Sequence, residues 1–215
     1  MWSLMNEYGG SSCRCQSWLQ RLGIWVSFSP WPTPSIVKWT RPNGGSIKLN
    51  VDGSTLDKPG RSGGGGVCRN HNGDFVFAFS VHYDIGSNTK AELRAVYNGL
   101  LLCSEFGFSQ IEVKSVSLSM VALLNGLMDL GWHWGYWLQR IERLRAVGSV
   151  TFIHILREGN IPAYGMARSG SSSQSSFYTR HAADLPPKIR GAIFLDKVGL
   201  RAFRGPPSPS PSPSR

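Results

Sequence analysis

The 215-residue sequence is short of acidic residues, of cysteine and of long apolar runs, and each shortage excludes something. Thirteen Asp and Glu against 23 Lys and Arg leave a formal charge of +10. No apolar run approaches the ~20 residues that a membrane-spanning helix needs, so no membrane partner is expected. The opening "MWSLMNEYGG" has neither the basic start nor the apolar middle of a secretory signal. An intracellular protein is expected, with nuclear and cytoplasmic locations both open. The four cysteines argue for neither zinc nor disulfides. Cys13 and Cys15 form "CRC", a spacing no common zinc module uses alone, and Cys68 and Cys103 lie in apolar contexts.

What is present is a globular composition, 41% hydrophobic and 11% aromatic, with its positive charge at the ends. Residues 1–45 carry four basic and one acidic residue, residues 46–170 twelve and ten, and residues 171–215 seven and two. Basic flanks around a balanced centre suit a polyanion such as nucleic acid, and equally suit tails that only need to stay in solution.

Residues 1–45 show no sustained periodicity and contain "SPWPTPS", which reads as a poorly ordered linker. From Ser46 the pattern becomes regular. In "SIKLNVDGST", Ile47, Leu49 and Val51 alternate with polar residues, the mark of a half-buried strand. Two more strands, "GGVCRN" and "FVFAFSVHY", are separated by the turn "HNGD". "NTKAELRAVYNGLLLCSEFGF" carries a helical apolar stripe, with Thr89 and Glu92 spaced as a capping box. A strand "QIEVKSV", a short helix ending at Gly126, a basic helix "GYWLQRIERLRAV", a strand "SVTFIHIL" and a short helix "NIPAYGMARSG" follow. Three consecutive strands suit an antiparallel meander, and strands separated by helices suit parallel additions. The expected fold is α/β: one domain over 46–170, a mixed five-stranded sheet with helices on both faces. Residues 171–215 are expected to be a Ser/Pro-rich basic tail with a short ordered segment near 184–204.

Taken singly, the chemical features have plain structural explanations. Asp52 followed by Gly53 is usually a turn. Glu92 is accounted for by capping. Gly63–Gly66 lack the Gly-Lys-Ser/Thr and the helix of a phosphate loop, and read as a flexible approach to an internal strand. His154 reads as a core histidine rather than a catalytic base. Trp132, Trp134, Tyr136 and Trp137 suit packing better than base stacking. Arg140, Arg143 and Arg145 form a basic helix face that either contacts a nucleic-acid backbone or is simply solvated.

In combination, "KLNVDGS", "GGGGVCRNHNGDFVFAFS", "TKAELRAVYNGLLLCSEFGFSQIEVKS", "LLNG" and "FIHILREGN" resemble, in order and spacing, the plant-type ribonuclease H-like domain. The upstream "VKWTRPNGGSIKLN" and the downstream "LPPKIRGAIFLDKVGLRAFR" are similar to that family's usual beginning and ending, so the resemblance covers about residues 38–204. It implies the ribonuclease H-like fold and cleavage of the RNA strand of an RNA–DNA hybrid by two divalent cations held by carboxylates. One cation activates water and the other stabilises the leaving oxygen. Hard Mg2+, or Mn2+, favours oxygen ligands. On this resemblance Asp52 and Glu92 match the first two metal-binding, catalytic carboxylates.

The other two positions depart from the family. It usually reads Glu-Ser-Asp-Ser where this chain has "KSVS", so Val116 stands in place of a carboxylate and Lys114 adds a positive charge. It reads Asn-x-x-Ala-Asp-x-Leu-Ala where this chain has "NIPAYGMA", with Tyr164 at the aspartate and Pro162 and Gly165 expected to weaken the helix start. Glu112, ~13 Å along an extended strand from Val116, is too far to substitute. The expectation is a monomeric, nucleic-acid-binding domain, RNA–DNA hybrid being the expected partner, with weakly bound Mg2+ or Mn2+ and impaired cleavage. An active hybrid ribonuclease and a retroelement-derived relic or protein-interaction module remain as alternatives.

Overall fold

The alternation that begins at Ile47 builds the strand from which the rest of the sheet is organised. The computed structural model describes residues 35–57, 60–128 and 134–204. Cys13, Cys15, the linker before Ser35, Trp132 and the serine-proline tail lie outside the described residues.

In chain order the elements are β1 (Ser35–Val37), β2 (Ile47–Thr55), β3 (Gly60–Arg69), β4 (Phe75–Gly86), α1 (Asn88–Glu105), β5 (Gln110–Ser115), α2 (Leu118–Leu124), α3 (Gly135–Arg145), β6 (Ser149–His154), α4 (Ile161–Ser173), β7 (Phe177–Thr179), α5 (Pro187–Lys197) and β8 (Ala202–Arg204). Six strands form one mixed sheet in the order β6-β5-β2-β3-β4-β7. The β2–β3, β3–β4 and β4–β7 pairs are antiparallel, and β2–β5 and β5–β6 are parallel. β1 and β8 pair antiparallel in a separate ribbon. No helix among the described residues is long and apolar enough to cross a membrane.

The sheet is therefore mixed, as the strand and helix order predicts, but has six strands rather than five. The added strand, β7, is three residues long in a serine-rich stretch that offers no alternating pattern. β4 supplies its pairing partners, Ala78 to Ser80. The unit spans Ser35–Arg204, wider at both ends than the regular pattern of 46–170. Downstream of the serines, α5 lays Ile189 and Ile193 against Val67, Ala78 and Met166 in a second, smaller core.

The main core lies on the α1 side of the sheet. Leu49, Val51, Phe77, Phe79, Val113 and Phe152 meet Leu93, Val96 and Leu100 there. Each such fully buried side chain contributes ~1.5–3 kcal/mol. The opposite residues of β2 are polar yet buried: Lys48, Asn50 and Asp52.

Glycine decides how closely the helices approach. Gly53 lies inside β2, paired with Gly64 of β3, so Asp52–Gly53 is no turn. A Cβ there would stand 2.3 Å from the Glu92 backbone nitrogen and 2.6 Å from the Ala91 carbonyl carbon. Gly63–Gly66 are likewise buried within β3 rather than forming a flexible approach to it. At Gly65 a Cβ would fall 2.3 Å from the Ala167 nitrogen of α4. The glycine run is thus the surface on which helix backbones rest.

Two local expectations are corrected. α1 is capped by Ser87, whose hydroxyl accepts from the Lys90 N–H, so Thr89 and Glu92 form no capping box and Glu92 sits at the start of the second turn. Pro162 falls in the first turn of α4, where a missing N–H costs nothing, and α4 runs 13 residues. Gly165 makes room for Ile189 of α5, whose Cδ1 would be 3.0 Å from a Cβ there.

Because the Gly53 contact is with backbone, which cannot swing aside, Gly53→Ala should cost ~3 kcal/mol, the upper range for overpacking. The urea unfolding midpoint is the measurement. A variant as stable as the wild type would show that α1 does not rest on β2 there.

Candidate active site

β2 delivers Asp52, and the Gly53 contact brings the α1 backbone at Glu92 against the same strand. Both carboxylates are buried, Asp52 to 6% and Glu92 to 8% exposure. Burial is the larger cause that lifts Asp52 to about 7; the neighbouring charge of Glu92 adds to it, and Arg157 and the Gly53 N–H oppose it. Burial also raises Glu92, while the Ser117 hydroxyl and the Asn88 amide, at 2.9 Å, hold it partly down. The result is a pair of carboxyl groups with too little positive charge near them to keep both ionised comfortably.

The register of β5 locates the third position. Asn50 stands level with Lys114, so two residues further along the parallel pair Val116 follows Lys114 as Asp52 follows Asn50. Val116 is half-buried just past the end of β5 and supplies no donor. Glu112 is engaged elsewhere, with one oxygen 3.3 Å from Lys48 and 3.6 Å from Lys114. Tyr164 lies in the first turn of α4, 40% exposed, its ring 5.8 Å from the Arg157 guanidinium. Among the described residues no group of three or more His, Cys, Asp or Glu side chains is placed to hold a metal.

Two contributors lie within the motifs quoted above, with no role assigned to them there. Arg157, in a single 3-10 turn of residues 157–159 before α4, is the one side chain among the described residues whose charge lowers Asp52. Asn160 is fully buried; its amide donates to the Val51 carbonyl at 2.9 Å and its oxygen accepts from Asn50 at 2.9 Å. It fixes the start of α4 to the strand residue before Asp52. "REGN" carries both, but nothing in its spacing distinguishes a positioning asparagine from a cap.

The basic residues of α3 are divided. Arg140 donates to the hydroxyls of Tyr97 and, at 2.9 Å, Tyr136, and lies over both rings. Arg145 reaches the Leu124 carbonyl at 3.2 Å and Glu142 at 3.4 Å. Arg143 is exposed. Trp134 and Trp137 pack against the main core, and Trp137 also meets Tyr97 at 5.5 Å, while Tyr136 stays 60% exposed. His154 ends β6, half-buried, level with Ser115.

Comparison with known proteins bears on this arrangement. A family model described as reverse transcriptase-like matches residues 50–170. An Arabidopsis thaliana protein provisionally named a ribonuclease H protein is 32% identical over 164 residues, 75% of this chain and 26% of that protein. This chain thus spans about a quarter of that relative's length. Among solved structures, ribonuclease H1 from Halobacterium salinarum is 23% identical with a TM-score of 0.56, over 58% of this chain and 96% of that one. LC11 ribonuclease H1, in complex with an RNA/DNA hybrid, is also 23% identical with a TM-score of 0.57, over 60% and 98%. These two share the fold. With over half of the sequence matched and the fold agreeing, the chain belongs to the reverse transcriptase-like family, and its domain is ribonuclease H-like, of the plant type.

Proposed function

We propose that this domain binds nucleic acid, with RNA–DNA hybrid the preferred partner, and cleaves it poorly or not at all. The observation that carries the reading is the donor set around Asp52: one other carboxylate, Glu92, with Val116 and Tyr164 where the family pattern has two more. A pair of divalent ions would supply an activated water and a stabilised leaving oxygen. Two carboxylates do not fit such a pair, because the repulsion between dications ~4 Å apart needs more negative charge to offset it. They fit one hard cation, Mg2+ or Mn2+, held weakly by Asp52 and Glu92. Binding is supported by fold-level likeness to a ribonuclease H1 solved with a hybrid, and by the basic balance of the chain.

The decisive experiment is a cleavage assay on an RNA–DNA hybrid with Mg2+ or Mn2+. The wild type should show little or no product. Val116→Asp with Tyr164→Asp should raise cleavage and metal affinity together, and either single change should do much less, since members of one site act as a unit. Robust, Asp52-dependent cleavage by the unmodified chain would overturn the reading.

Binding should be chiefly electrostatic, its logarithm falling linearly with that of salt concentration. Arg143→Glu is the clean probe of the α3 face, because Arg140 and Arg145 are tied to neighbouring groups. It should weaken hybrid binding and reduce the salt slope by ~1. An unchanged slope in a filter-binding titration would move the contact to another basic surface.

Asp52 also predicts a pH effect in the presence of chelator. Its folded-state value of about 7 lies above the model-peptide 3.8, so the folded protein holds this proton more tightly than the unfolded chain. The stability so contributed is complete below the unfolded value and is lost as pH rises through about 7. Asp52→Asn should therefore be more stable than wild type at pH ~8, by ~2–4 kcal/mol, and gain little at pH ~4. Thermal unfolding at the two pH values checks it; equal gains at both would contradict the raised value.

A further inference from the structure

On the polar face of β2 and β5, two buried ammonium groups share one carboxylate oxygen. Lys48 is 3.3 Å and Lys114 3.6 Å from Glu112 Oε2, with side-chain exposures of 2% and 11%. Lys48 is further satisfied by the Thr40 carbonyl at 2.5 Å and hydroxyl at 3.2 Å. The Lys114 ammonium makes no hydrogen bond among the described residues beyond this ion pair. A cavity of about 220 Å³ opens at this point, lined by Lys38, Trp39, Thr40, Lys48, Asn50 and Lys114 together with apolar residues, and by no acidic side chain. Lys38 is exposed.

We propose that this cavity is a binding site for a phosphate-class oxyanion, with Lys114 its principal ligand and Lys48 and Lys38 contributing charge. A buried ammonium needs a counter-charge, and here one carboxylate serves two. Burial is the largest cause pulling Lys48 down from its ordinary range, and the Lys114 charge beside it adds to this against Glu112, as two cations close to one carboxylate would. The volume is several times the ~30 Å³ share of a water molecule, enough for a tetrahedral oxyanion with some of its hydration. Lysine serves such anions as a point charge with several donors. The carboxylate pair does not overlap this site: Asn50 and Lys114 precede Asp52 and Val116 by two residues, ~7 Å along extended strands.

The occupant is either inorganic phosphate or a phosphodiester of a bound strand. The second source rests on the nucleic-acid reading and the first does not. The test is titration calorimetry and thermal unfolding of the full 215-residue chain with sodium phosphate, against chloride at matched ionic strength, and separately with dimethyl phosphate. Saturable phosphate binding with a rise in Tm is expected, weakened at least ~10-fold in Lys114→Met and unaltered in Lys188→Met, an exposed lysine of α5 away from this cavity. Lys114→Gln should weaken the phosphate effect likewise while leaving a folded protein, because it keeps a hydrogen-bond donor beside Glu112. Dimethyl phosphate binding as tightly as phosphate supports the diester source; phosphate binding alone supports the free anion, whatever the outcome with hybrid. No saturable binding at tens of millimolar, or equal binding by Lys114→Met, overturns the proposal.

Discussion

A guanidinium with no exposure to water sits in the middle of the sheet, and much of the architecture follows from its need for partners. Arg69, at the end of β3, donates to Asp196 of α5 at 2.6 Å and to the Asn50 side chain at 2.9 Å, and stacks 3.9 Å from the Trp39 ring. Asn50 accepts from the Trp39 indole as well, at 3.1 Å, and donates to Asn160. One cation thus ties the segment before β2, the start of α4 and the C-terminal helix to a single strand pair. Burial lowers Arg69 and raises Asp196 more than their mutual attraction compensates. The pair therefore adds little net stability, but removing one partner would strand the other and cost ~3–5 kcal/mol. Its effect is to specify where α5 must dock.

The same network positions the candidate site. Asn160 holds the Val51 carbonyl from one side, while Gly53 lets α1 settle on the other. Asp52, between these two anchors, has little freedom to turn toward solvent, so its desolvation is imposed by the fold. Burial of an acid beside another acid is a state that a cation relieves. Arg157 supplies part of that relief from within the chain, and its guanidinium, 5.8 Å from the Tyr164 ring, links Asp52 to one of the positions where charge differs from the family pattern.

Strands and helices built on strong periodicity were legible in the sequence, as in Ile47–Val51 and the Leu93–Leu100 stripe. Three features were not. The helix α1 start depends on which of two nearby hydroxyl residues takes the cap, and Ser87 wins over Thr89 because the chain is extended there. The glycines of β3 look like a loop because their reason lies in helices distant in sequence, at Ala95 and Ala167. β7 and α5 carry few signals of their own; a three-residue strand and a buried Asp196 make sense only once β4 and Arg69 are in place. Asp52 and Glu92 stand out in the sequence only through the family resemblance; Asn160 opens a motif of the same resemblance, but it and Arg157 act through contacts that spacing does not encode.

Holding metal ions and holding phosphates place opposite demands on the end of β5. The first requires negative charge beside Asp52, and the second requires positive charge within reach of the backbone of a nucleic acid. At positions 114 and 116, two residues apart, this chain has a lysine and a valine. Because side chains two apart share a face, Lys114 and Val116 lie on the same side of the sheet as Asn50 and Asp52, ~7 Å apart along the strand. Relative to the family pattern, the end of β5 has two carboxylates fewer and one ammonium more. The field at this face is then better suited to attracting an anion than to keeping two dications beside it.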